Sequence, residues 1–174
     1  MLVIRCTRRL LDRVGPPVAP PPESTTALGD WYAKPFGVAQ KRFVLMISES
    51  TRIAIVMPSR AAADLARSFR HALAILLESL GVPADAVERE IAASQEVLLA
   101  VTDSRSLLGT LNDFSTLAKS RLRDRPDTAL DDLSVSLSHS PVAPLGYRRP
   151  ADLARELFGL VSRQPLDARS PGGW

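Results

Sequence analysis

Very little in this chain lends itself to covalent, metal or redox chemistry. Its 174 residues include one cysteine, Cys6, so no disulfide can close within the chain. Two histidines, His71 and His139, and a single thiol fall short of a structural zinc set. Neither histidine has a serine or cysteine at a recognisable spacing, so no nucleophilic triad is legible. Gly109 and Gly146 stand alone, and no glycine-rich phosphate loop occurs. Cofactor and metal are therefore both read as none. Aromatic residues make up only 5% of the chain, so the core has to be built from Leu, Ile, Val and Ala. No run reaches the roughly 18 apolar residues of a membrane span. Arg5, Arg8 and Arg9 interrupt the apolar stretch that a secretory leader would need. With so little thiol chemistry, a reducing, cytoplasmic setting is the expectation.

What is present is ordinary for a globular domain: 45% hydrophobic and 24% charged residues. The net charge is +3, and of the 22 basic residues only Lys34, Lys41 and Lys119 are lysines. The excess lies in residues 1–124, because residues 125–174 hold six basic and six acidic side chains. An anionic partner should therefore meet the first part of the chain.

The periodicities suggest an α+β order. Leu2 to Thr7 alternates as a strand, and Thr7 can cap a helical turn carrying Leu10, Leu11 and Val14. Five prolines between Pro16 and Pro22 exclude helix and central strand, which predicts a semi-rigid spacer. Leu28 to Tyr32 reads as a turn entering a short strand. Lys41–Ser48 and Arg52–Met57 are the clearest strands, with a hairpin turn over Ser48 to Thr51. Arg60–Leu80 follows the 3,4 spacing of one buried helix face, and Pro83 opens a second helix to Ser94. Glu96–Val101 is apolar enough to be a central strand. Asp103 then caps a helix over 104–123, with Leu107, Leu111, Phe114, Ala118 and Leu122 inward. Residues 125–146 are rich in Ser, Pro and Asp and read as a mobile or loosely packed linker. A helix over 150–161 and a disordered end over 162–174 complete the chain. The expectation is a core domain at 1–124 and an appendage at 125–174. The core is a mostly antiparallel sheet of four or five strands, with helices 60–80 and 104–123 covering one face.

Several stretches carry a resemblance. They are Met1-Leu-Val-Ile-Arg-Cys-Thr-Arg-Arg-Leu-Leu11, Leu28-Gly-Asp-Trp-Tyr-Ala33, the hairpin at Ser48-Glu49-Ser50-Thr51, and Ser106-Leu-Leu-Gly-Thr-Leu-Asn-Asp-Phe114. Over about residues 1–122 the chain resembles an uncharacterised bacterial family, a domain of unknown function. Its members carry I-R-C-T, L-G-D-W-Y and a later L-N-D-F. The resemblance implies a compact α+β domain and no particular chemistry. It also implies Asn in the hairpin where this chain has Ser48.

Two sets of candidate site residues emerge. At 100° per residue, Arg105, Asn112, Thr116, Lys119 and Arg123 share a stripe about 60° wide beside the apolar face of the 104–123 helix. Three cations and two hydrogen-bonding side chains suit phosphate contact, and a solvated helix face is the plainer reading. Arg8 and Arg9 could extend the patch. The second set is Asp30 and Asp113, the carboxylates of two family-like motifs, with Arg5. Together they could do acid–base work or bind a metal, or each could be structural, Asp30 as a turn former. Trp31 and Tyr32 are either a base-stacking platform or core anchors.

Three functional readings follow. The first is a non-enzymatic binding or regulatory module for a protein or nucleic acid. The second is a hydrolase or nuclease using Asp30, Asp113 and Arg5. The third is a structural protein that oligomerises through its tail helix.

Overall fold

The computed structural model describes residues 1–160. The expectation of disorder over 162–174 lies outside the described residues. In chain order the elements are β1 (Leu2–Cys6), α1 (Arg8–Val14), β2 (Trp31–Val38), β3 (Lys41–Ser48) and β4 (Ala54–Pro58). After a 3-10 turn at Ser59–Asp64 come α2 (Leu65–Ser79), α3 (Ala84–Ala93), β5 (Val97–Val101), α4 (Arg105–Asp124), α5 (Leu130–Ser138) and α6 (Pro150–Leu157).

The fold is α+β, and its sheet has five strands in the order β4-β3-β2-β1-β5. The sheet is mixed, which corrects the mostly antiparallel expectation. β2–β3 and β3–β4 are antiparallel, whereas β1 runs parallel to both β2 and β5. The reason is the length of the connections. A parallel pair needs a crossover of about a dozen residues or more. The segment between Cys6 and Trp31 supplies one for β2, and α2 with α3 belongs to the excursion that precedes β5. β5 is an edge strand rather than a central one. Its Val97, Leu98 and Leu99 are half-buried, and Val101 is 54% exposed.

The two long helices cover opposite faces, not one. On one side Leu2, Ile4, Trp31, Val44, Met46 and Ile55 meet Phe69, Leu73 and Leu77 of α2. On the other, Tyr32, Phe43, Leu45, Ile47 and Val56 meet Leu107, Leu111, Phe114 and Ala118 of α4. The near-continuous apolar run of β3 explains this. Val44 and Met46 point one way and Leu45 and Ile47 the other, so both faces demand a helical layer. Trp31 and Tyr32 divide between the layers as core anchors, Trp31 edge-on to Phe69 at 4.9 Å. Cys6 is fully buried, and burial pushes its thiol up to about 12.

The stretch expected as a linker contains α5, whose Leu133 and Leu137 are buried against β4 and α4. α6 is shorter than the 150–161 expectation and packs Ala151 and Ala154 into the α2-side core. Both sheet edges are covered. Val18, inside the proline-rich segment, donates its N–H to the Leu99 carbonyl of β5 at 2.8 Å. On the β4 edge, the amides of Ala54 and Val56 donate to the hydroxyls of Ser138 and Ser134 at 2.9 Å each.

Candidate functional site

Two clusters gather residues that are distant in sequence, and they lie toward opposite ends of β2. The first is centred on Arg5, which projects from β1 on the α4 side of the sheet. Its Nε donates to Asp30 Oδ2 at 2.5 Å and its Nη1 to Asp103 Oδ2 at 2.6 Å. Ser24 donates to the other oxygen of Asp30 at 2.6 Å, and the Tyr32 phenol donates to the other oxygen of Asp103. The Arg5 guanidinium lies 5.9 Å from the centre of the Tyr32 ring. Burial, then the bond to Asp103, pushes the Tyr32 phenol well above its ordinary range. Asp30 is buried with both oxygens taken, so it ties the start of β2 to β1.

Asp113 does not join this set. It is exposed on α4 and makes no hydrogen bond or ion pair with Arg5 or Asp30. Asp103 takes the second carboxylate position beside Arg5. The α4 cap is consequently Ser104, whose hydroxyl accepts from the Leu107 amide at 3.3 Å, rather than Asp103. Among the described residues, no group of three His, Cys, Asp or Glu side chains could hold a metal. The network has the features of a structural clamp, with one carboxylate, Asp103, left 61% exposed at its rim.

The second cluster is a basic cleft. Strand alternation sends Trp31 and Ala33 toward α2, and Tyr32, Lys34 and Phe36 toward α4. β1 stops pairing with β2 at Cys6 opposite Ala33. From Lys34 onward that side of β2 is flanked instead by Thr7 and α1. This leaves a cleft of about 480 Å³ bordered by Arg9 of α1, Lys34 of β2, Arg42 of β3 and Lys119 of α4. Thr7 and Ser115 line its wall. A smaller depression of about 260 Å³ shares Arg9 and Arg42 and adds Arg13. Among the described residues no carboxylate lines either one, and none of Arg9, Lys34, Arg42 and Lys119 pairs with an acidic side chain.

Local chemistry keeps these cations in place. Phe36 and Phe43 stack across β2 and β3 at 5.2 Å. A Cβ added at Gly37 would come within 3.1 Å of Arg42 Nη1, so glycine leaves room for the guanidinium. Lys34 donates to Asn112 Oδ1 at 2.8 Å. Burial, and secondly the Lys119 ammonium, hold Lys34 below the ordinary lysine range. Two hydroxyl oxygens in the wall, Thr7 Oγ1 and Ser115 Oγ, are covered and without a hydrogen-bond partner. Other helical hydroxyls satisfy themselves on the carbonyl four residues back, as Thr116 does on Asn112 and Ser134 on Leu130. Ser115 does not.

The predicted α4 stripe is thus divided. Lys119 enters the cleft, and Asn112 reaches it through Lys34. Thr116 spends its hydroxyl on its own helix and Arg105 is exposed far along α4. Arg123 borders a neighbouring depression. Arg9 does extend the basic surface. Lys34, Arg42, Thr7 and Ser115 were not singled out from the sequence. For Lys34 a signal existed, a lone lysine alternating with Tyr32 and Phe36 in an apolar strand. Arg52 was missed as well. Its guanidinium bonds the Ser106 carbonyl at 3.2 Å and the Ser106 hydroxyl at 2.9 Å, fastening the β3–β4 hairpin to α4.

The family described as a domain of unknown function, DUF6933, matches residues 3–153, and the chain belongs to it. The match runs beyond the roughly 122 residues over which the motifs were read, and takes in α5 and the start of α6. No curated protein and no solved structure matches the chain.

Proposed function

We propose, the family itself having no assigned activity, that this protein is a non-enzymatic binding module whose partner carries phosphate. The observation behind this reading is the convergence of Arg9, Lys34, Arg42 and Lys119, from four different elements, on one concave surface that no carboxylate lines among the described residues. Like charges gathered this way repel one another, and the lowered pKa of Lys34 reflects burial and that repulsion. An anion in the cleft reverses the sign of the interaction for all four. Arginine forks and lysine ammonium groups together match the oxygens of a phosphate group. The phosphodiester of a nucleic acid and a small phosphate ester both offer this chemistry.

The test is binding of inorganic phosphate, a small phosphate ester, and short DNA and RNA strands across a salt series. The wild type is compared with a Lys34→Glu/Arg42→Glu/Lys119→Glu variant. We expect binding of at least one phosphate compound that weakens as salt rises and is lost in the variant while its fold is retained. If nothing binds at low salt, or if the variant binds as well as the wild type, the cleft is only a solvated surface.

A further inference from the structure

We infer that the partner is a small phosphate monoester that enters the cleft end-on, with an apolar or planar group lying beside it, rather than the backbone of a nucleic acid. This rests on the preceding reading and adds three observations to it. The first is depth. The unpartnered hydroxyls belong to the wall, and Ser115 is only 2% exposed. A diester carries chain on both sides and lies across a surface. A terminal phosphate has a single attachment and three free oxygens, so it can reach the wall, where a small rotation of Thr7 or Ser115 gives each hydroxyl an acceptor.

The second observation is size and spread. A cleft of about 480 Å³ falls within the range of small-molecule sites. Along α4 the cations do not continue from the cleft toward the helix N-terminus, since Arg105 and Lys119 are separated by about 21 Å of helix. The third is the adjoining surface. A depression of about 560 Å³ meets the cleft at Ala39 and is lined by Val38, Phe43, Leu122 and Pro126, with Lys41 and Arg123 at its border. A phosphate in the first and an apolar or aromatic group in the second describe one ligand of nucleotide-like chemistry.

The experiment is calorimetric titration of the full chain with inorganic phosphate, adenosine 5′-monophosphate, adenosine, and a single-stranded oligonucleotide lacking terminal phosphates. The monophosphate should bind at least about tenfold more tightly than inorganic phosphate, and adenosine should not bind detectably. The monophosphate should also bind more tightly at pH 7 than at pH 5, because the second phosphate ionisation lies at about 6. Ser115→Ala and Thr7→Val should each weaken both phosphate and monophosphate roughly tenfold. Ser115→Ala removes a covered, unpartnered oxygen, so its melting temperature should hold or rise, an outcome that a merely structural serine would not give. An oligonucleotide that binds as tightly as the monophosphate, and loses that binding in the Lys34→Glu/Arg42→Glu/Lys119→Glu variant, would overturn the inference and leave the broader reading standing. So would equal affinities for phosphate and monophosphate. Failure of every phosphate compound to bind would remove both.

Discussion

Glu90 is 3% exposed, and its carboxylate accepts the amides of Ala27 and Leu28 at 2.9 and 3.1 Å. It therefore fixes the loop that delivers Asp30 to Arg5, from a helix on the other side of the sheet. Burial raises its pKa above the ordinary 4.5, and the two amides only partly oppose this. Between the unfolded and folded values the native state binds more protons, so stability on Glu90's account falls as pH rises through that window. Glu90→Gln carries no charge and keeps one acceptor oxygen for the two amides. The wild-type stability minus that of Glu90→Gln should accordingly decrease as pH rises from about 4.5 toward neutrality, as read by urea unfolding at successive pH values. A constant difference would place the pH dependence elsewhere. A sequence signal for this residue existed in its position, three after the inward-facing Val87 on α3. A glutamate in a helix otherwise reads as solvated, and nothing local reveals that a loop more than 60 residues earlier presents bare amides to it. The cleft has the same character. The 100° spacing along α4 identifies Lys119, but not the lysine that β2 sets opposite it.

The segments that look least structured by composition guard the sheet. Ser134 and Ser138 are four residues apart on α5, about 6 Å along a helix. Ala54 and Val56 are two apart on β4, about 6.6 Å along a strand. The spacings match, so two successive outward amides of an edge strand each find a hydroxyl, with α5 antiparallel to β4. Each hydroxyl in turn donates to the carbonyl one turn back, to Leu130 and to Ser134. Replacing both serines by alanine should cost about 1–3 kcal/mol for each amide left without a partner. Hydrogen exchange should quicken at Ala54 and Val56 more than at Ile55, which pairs with Met46. The exposed edge should also promote association between copies. Uniform exchange across the strand would refute the clamp. The linker expectation failed here for a physical reason. A helix that turns serines toward a strand edge lacks the polar-out, apolar-in contrast that marks an amphipathic helix. The 3,4 spacing of Leu130, Leu133 and Leu137 was the trace it left. The proline-rich segment is the counterpart at β5, where one N–H at Val18 does the same work.

At the scale of the whole molecule, the individual elements of the first 124 residues were largely readable, and their arrangement was not. Strand alternation fixes which residues share a face. It carries no information on strand direction, on which strand stands at an edge, or on which face a helix will choose. The same gap made the chain look like a core at 1–124 with an appendage at 125–174, and truncation tests that division. A chain ending at Arg125 loses Leu133 and Leu137 from the α4-side core, Ala151 and Ala154 from the α2-side core, and both hydroxyls on the β4 edge. Two buried leucines alone contribute about 1.5–3 kcal/mol each, and the two amides add about 1–3 kcal/mol each. A domain of this size has about 5–15 kcal/mol in total. The truncated chain should therefore lack a cooperative thermal transition, whereas a chain ending at Leu160 should unfold in a single one, as read by circular dichroism and calorimetry. A cooperative transition in the shorter chain would make α5 and α6 an appendage after all. The expected result also decides how oligomerisation can be tested. Any association of the shorter chain would report the bared β4 edge, so the tail's part in self-association has to be read from surface substitutions on α6 in the full-length protein.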